Sequence, residues 1–199
     1  MKSHVILLFA PAIIIAAGFG GRSITTAELN DQYSIFDDFE QTDSLWLFSD
    51  KIGAASASGV ERAKVAIAGP LGLSSQEAVY FVAVVDNEGR ALTSACEYRV
   101  TGGVIDARWW SLTLYDSETQ HYVPNVINRS SWNSVAIPRA DNGNWDITIS
   151  QTPQDDTWLP SHVGEGRAFE LNLRVYNPSD VTRARLLNIE LPDVERTSC

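Results

Sequence analysis

The sequence predicts an all-β protein: an antiparallel β-sandwich of jelly-roll type, with an N-terminal apolar helix and one short soluble helix. Three observations predict it. Stretches such as "RWWSLTLYD" (108–116) and "RAFELNLRVYNP" (167–178) alternate in period two, as half-buried strands do. Turn signals rich in glycine and asparagine recur between such runs. Only one stretch beyond the N-terminus has clear helical spacing. At 199 residues the chain suits one domain with an appended segment.

Taken in order, the first element is an uncharged apolar run over residues 5–19, behind Lys2. It is shorter than the ~20 residues of a full membrane span. Small residues stand near its end at Ala16, Ala17 and Gly18, but Arg22 comes soon after. Residues 1–22 are therefore expected to direct export, either as a cleaved signal peptide or as a retained membrane anchor. Residues 23–45 are acidic and weakly patterned, and read as a linker or extension; residues 46–199 form the β-sandwich domain. Within it, residues 56–68 are expected to be helical: Val60, Ala63, Lys64 and Ile67 share a face, and Gly69-Pro70 ends it.

The strands follow. "AVYFVAVVD" (78–86) is apolar on both faces and predicts a central, doubly covered strand, closed by a turn at Asn87-Glu88-Gly89. "SACEYRVTG" (94–102) turns Ser94, Cys96, Tyr98 and Val100 to one side. In "RWWSLTLYD", Trp110, Leu112 and Leu114 read as core. Trp109, Ser111, Thr113 and Tyr115 face the other way, two aromatics among two hydroxyls. "SVAIPRADNGNWDITIS" (134–150) predicts a hairpin around residues 141–144, with Ile137 and Ile147 on facing strands. In "RAFELNLRVYNP", Phe169, Leu171, Leu173 and Val175 face in, while Glu170, Asn172, Arg174 and Tyr176 face out.

Charge and motifs exclude several function classes. A net charge of −10 with scattered basic residues opposes binding to nucleic acid phosphate or to anionic lipid. His121 and His162 stand in no zinc-ligand spacing, so no metal is expected; no phosphate-binding loop or G-x-S-x-G elbow occurs, and no cofactor is expected. Asp37 and Asp38 read as solvated charge.

Five stretches occur in an order that resembles a known family: "SQEAVYFVAVVDNEGRAL", "RWWSLTLYD", "VPNVINR", "WLPSHVGEGRAFELNLRVYNP" and "LPDVERTSC". This resembles the domain-of-unknown-function family 1214, in its small exported bacterial members, over roughly residues 46–199. The resemblance implies an all-β sandwich at the cell envelope and carries no catalytic residues across. Larger relatives join this domain to one of a second family, 1254, for which 199 residues leave no room. Small members tend to show a cysteine at both positions occupied here by Cys96 and Cys199. With those the only cysteines and the chain expected outside the cytosol, a Cys96–Cys199 disulfide follows as an expectation.

The candidate ligand-binding residues are Trp109, Tyr115, Asn128, Arg129, Trp158, Arg174 and Tyr176. Two readings compete for them. In one, Trp109 and Tyr115 are covered by the N-terminal helix or the 153–168 loop, and Arg174 pairs with Glu170 or another carboxylate. In the other, they line a shallow groove: aromatic rings stack on a ligand's flat face while arginine and asparagine bond its polar edge. The expected function is a binding or accessory module at the envelope, with the membrane, an envelope protein or a small molecule as partner. The alternative is a periplasmic hydrolase with a carboxylate-based site in the aromatic groove.

Overall fold

Period-two alternation becomes ten strands among the described residues of the computed structural model, which are 39–68, 72–154, 157–162 and 164–199. The strands are β1 (Glu40–Gln41), β2 (Leu47–Ser49), β3 (Ala78–Ala83), β4 (Glu97–Gly102), β5 (Ala107–Asp116), β6 (Ser131–Asn133), β7 (Trp145–Ser150), β8 (Trp158–Pro160), β9 (Phe169–Pro178) and β10 (Asp193–Ser198). Helices α1 (Gly59–Ala68) and α2 (Asp180–Arg183) and a 3-10 turn (Leu186–Asn188) complete the order. The expected export segment 1–22 lies outside the described residues, as does most of 23–45. Among the described residues, no helix is long and apolar enough to cross a membrane.

The all-β class holds. One sheet has the order β1-β2-β3-β9-β5-β6 and is antiparallel throughout. The other has the order β10-β4-β7-β8 and departs from the antiparallel expectation at one place, where β7 and β8 run parallel. The two sheets share one core: Phe81, Leu112, Leu114, Leu171, Leu173 and Val175 from the first, and Tyr98, Val100, Ile147, Ile149, Leu159 and Val194 from the second. Tyr98 meets Phe169 edge-on at 5.5 Å, and Trp110 packs on Trp145 at 4.7 Å. Each such buried side chain contributes roughly 1.5–3 kcal/mol over an exposed one. Every residue of β3 is buried, as its apolar run predicts for a central strand.

Local chemistry sets the element ends. Helix α1 begins where Ser58 and Glu61 form a capping box: Glu61 N–H donates to Ser58 Oγ at 3.2 Å, and Ser58 N–H donates back to the Glu61 carboxylate. Its Val65 packs beside Ile52, Ala78 and Tyr80. In β4, Gly102 lies opposite Trp145, whose indole crosses it; a Cβ there would come within 2.3 Å of the ring. The Trp145 indole N–H then donates to Gly103 O at 2.8 Å.

The expected 134–150 hairpin is half right. Residues 141–144 do turn, with Gly143 N–H donating to Ala140 O and Ala140 N–H to Asn144 O, both at 2.8 Å. The arm before the turn is no strand. Asn133 Oδ1 accepts from Val135 N–H and Ala136 N–H, and Ile137 N–H donates to Asn133 O, so the chain curls after β6. Pro138 cannot donate to a ladder. β7 pairs instead with β4 and β8, although Ile137 and Ile147 both reach the core.

The C-terminal strand is held by several devices. β10 pairs with β4; Asn87 N–H donates to Val194 O, and Val194 N–H to Asn87 Oδ1. Asp86 is almost fully buried and forms ion pairs with Arg90 and Arg196. Burial alone would raise its carboxyl, but hydrogen bonds from Arg90 and Glu88 outweigh that and hold it below its ordinary value. Cys96 and Cys199 are joined, with Cα atoms 4.0 Å apart and a sequence separation of 103. In the chain-entropy account a loop of this length is worth about 4–5 kcal/mol. Urea unfolding of the oxidised and reduced protein is expected to differ by about that amount, with a difference below about 1 kcal/mol contradicting the staple's role.

Candidate functional site

Because β5 and β9 pair in register, their outward residues form rows across the six-stranded sheet. Tyr80, Arg174, Ser111 and Asn133 make one row; Val82, Asn172, Thr113 and Ser131 make the next. Trp109 lies opposite Tyr176 on one side of these rows, and Tyr115 opposite Glu170 on the other. This face is not a solvated one: Ser111, Thr113, Glu170 and Asn172 are all buried.

Two aromatic pairs wall the face. The Trp109 and Tyr176 rings are 5.0 Å apart, and Tyr115 stacks on Tyr122 at 5.0 Å. All but Tyr122 are half-buried, and Tyr122 is exposed. The partner rings in these two pairs come from β9 and from the loop after β5; the N-terminal helix expected as a cover lies outside the described residues.

Arg174 stands between the walls. Its Nη2 donates to the Tyr115 hydroxyl at 2.6 Å, with the guanidinium carbon 5.4 Å from that ring. Burial opposes its charge, but the Tyr115 hydrogen bond and the neighbouring Tyr176 and Tyr122 together outweigh burial and raise its pKa. Tyr115 itself is pushed up to about 12, by burial first and by its hydrogen bond with Tyr122 second, against the pull of Arg174. The expected ion pair with Glu170 does not form: among the described residues Arg174 pairs with no carboxylate. Glu170 receives a hydrogen bond from Gln120 Nε2 at 3.3 Å, and burial raises its carboxyl to about 7. Asn172, 7% exposed, leaves its Oδ1 without a hydrogen-bond partner.

Of the residues expected to bind a ligand, the structure brings together Trp109, Tyr115, Arg174 and Tyr176. It separates the other three. Trp158 is buried in β8, its indole N–H donating to Ser150 O at 3.0 Å. Arg129 lies 4.1 Å over the Trp132 ring, whose side chain belongs to the core, on the opposite side of the sheet. Asn128 is an exposed turn residue with φ 54°. Glu170, Asn172 and Tyr122 were not among the expected site residues. Strict alternation along β9 placed Glu170 and Asn172 beside Arg174; the contribution of Tyr122 depends on the 117–122 loop folding back, which no periodicity signals.

The sequence profile of the family described as "Protein of unknown function (DUF1214)" matches residues 77–180, just over half of the chain. The chain belongs to the DUF1214 family. The matched span includes β3, β5, β6 and β9, and so both rows around Arg174, while β1 and β2 lie outside it. A crystal structure of a Vibrio parahaemolyticus protein shares the fold, with a TM-score of 0.56 and 21% identity over 71% of this DUF1214 chain and 36% of that one. This chain thus spans about a third of that protein's length. An uncharacterized protein from Burkholderia cenocepacia is similar at a TM-score of 0.42 and 22% identity, over 61% of this chain and 29% of that one. No curated protein matches.

Glu170 makes stability depend on pH. Its folded pKa lies above the ordinary 4.5, so between about 4.5 and about 7 the folded state binds more protons than the unfolded chain. Stability therefore falls as pH rises through that window, by up to about 3 kcal/mol at roughly 1.4 kcal/mol per unit. Glu170→Gln is expected to match the wild type near pH 5 and to exceed it at pH 8. Denaturant melts of both proteins at the two pH values check this; equal stability at pH 8 would contradict it.

Proposed function

We propose that the chain is an exported cell-envelope binding or accessory module, a two-layer sandwich whose ligand surface is the outward face around Arg174. The single observation carrying this reading is Arg174 itself. It is a half-buried guanidinium with one hydrogen bond, to a neutral hydroxyl, and no carboxylate among the described residues. A packing role would favour a full set of partners, since burying a charge with unused donors costs stability. A binding role needs those donors free. The flanking aromatic pairs supply flat apolar walls of the kind that line small-molecule sites.

The hydrolase alternative has one observation in its favour: Glu170 titrates near neutrality on the same face. Its hydrogen-bond partner is Gln120, an amide that cannot relay a proton as a histidine or a second carboxylate would.

An aromatic fragment panel (phenol, indole, benzamide, benzoate) observed by ligand NMR tests the binding reading. Fragments are expected to bind the wild type and to be lost from Trp109→Ala. That variant should lose about 1 kcal/mol of stability, the scale of one aromatic pair. A loss of roughly 3–5 kcal/mol, as for a buried tryptophan, or no fragment binding, overturns it. Export rests on the apolar run at residues 5–19, and the disulfide is compatible with it. A reporter fused after Asn30 should reach the periplasm; retention in the cytosol would refute this.

A further inference from the structure

Resting on the binding reading above, we propose that the ligand is a small monoanionic carboxylate, its carboxylate on the unused N–H groups of Arg174 and its flat apolar body between the Trp109/Tyr176 and Tyr115/Tyr122 pairs. Three observations support this.

The first is the donor count. A guanidinium carries five N–H donors in a fixed fork that matches the two oxygens of a carboxylate. Arg174 uses Nη2 on the Tyr115 hydroxyl, which leaves donors for a second, planar acceptor.

The second is charge. The outward positions of β5 and β9 between Trp109 and Tyr115 and between Glu170 and Tyr176 hold one cation, Arg174, and one acid, Glu170. The chain as a whole carries 25 acidic residues against 15 basic ones, yet none of the described acids pairs with this arginine. One guanidinium neutralises one negative charge. A phosphate dianion would leave a second charge uncompensated in a half-buried site beside Glu170, where the desolvation cost is high. A neutral ligand would leave the guanidinium as it is.

The third is Asn172. Its side chain is 7% exposed, shares the outward face with Arg174, and keeps Oδ1 without a partner. A buried acceptor of this kind is satisfied by a donor brought in with the ligand. Asn172 thereby favours a carboxylate that also bears a hydroxyl or N–H.

The experiment compares three probes of one shape on the full-length chain with its disulfide intact: benzoate, benzamide and phenyl phosphate, titrated by protein-observed NMR. Benzoate is expected to bind at least about tenfold more tightly than either of the others, the scale of a charge-assisted, bidentate contact. It should shift resonances of Trp109, Tyr115 and Tyr176. Arg174→Gln should bring benzoate down to the level of benzamide, and Arg174→Lys should fall between, keeping the charge without the fork. Equal binding of benzamide and benzoate overturns the carboxylate assignment and leaves the binding face standing. So does phenyl phosphate binding as tightly as benzoate. Absence of any probe from this face overturns both. If Arg174→Gln does not fold, the wild-type ranking of the three probes decides the outcome.

Discussion

The pairing of β5 with β9 is the constraint on which the rest depends. It keeps one antiparallel register from Ala107 opposite Pro178 to Asp116 opposite Phe169, and is continuous from Trp109 opposite Tyr176 onward. Because side chains alternate, that register sends Trp110, Leu112, Leu114, Leu171, Leu173 and Val175 into the shared core. The same register sends Trp109, Tyr115, Glu170, Asn172, Arg174 and Tyr176 to the other face. A slip of one residue in either strand would exchange the two sets, placing a guanidinium and a carboxyl among leucines. The core thus fixes the geometry of the outer face, and no separate device is needed to align it.

The two faces differ in what they do for stability. The inner one is apolar, dense and stabilising. The outer one holds a raised carboxyl, a guanidinium with spare donors and an amide oxygen without a partner. Each of these lowers stability relative to a well-packed apolar residue of similar size. Such groups are tolerated where the rest of the domain over-determines the backbone, and they collect at functional sites. Here the backbone is buttressed on both sides, since β9 lies between β3 and β5 with a ladder to each.

Much of this was legible in the sequence, for identifiable reasons. Strands β3, β4, β5 and β9 could be read because alternation and doubly apolar runs are local properties of the chain. The face shared by Arg174, Asn172 and Glu170 was equally local. The fate of Arg174 was not: whether it meets Glu170 or Tyr115 depends on side-chain reach across two strands. Tyr122 joined the site through a loop that folds back onto β5, a tertiary event without a period. The 134–150 hairpin misled because a good turn signal at Asp141, Asn142 and Gly143 says where the chain reverses, not what the preceding arm pairs with. Asn133 and Pro138 decided that, by offering side-chain acceptors and removing a donor. Trp158 and Arg129 misled in the same way, since aromatic and arginine residues serve cores and edges as readily as grooves.

The C-terminal strand shows how a polar segment is kept in a sheet. Of the six residues of β10, Val194 is the buried apolar one. Burying one valine gives roughly 1.5–3 kcal/mol, whereas ordering six residues costs about 1–2 kcal/mol each in backbone entropy alone. Hydrophobic burial cannot hold this strand. What holds it is the ladder to β4, the mutual hydrogen bonds of Asn87 and Val194, the buried Asp86 carboxylate with Arg196, and the Cys96–Cys199 bridge. The bridge acts on the unfolded chain, by shrinking the ensemble the strand would otherwise escape into, and so supplies what the sequence of β10 lacks. Cys96 lies within the family's matched span and Cys199 beyond it, so the staple ties the tail to the same sheet system that positions Arg174.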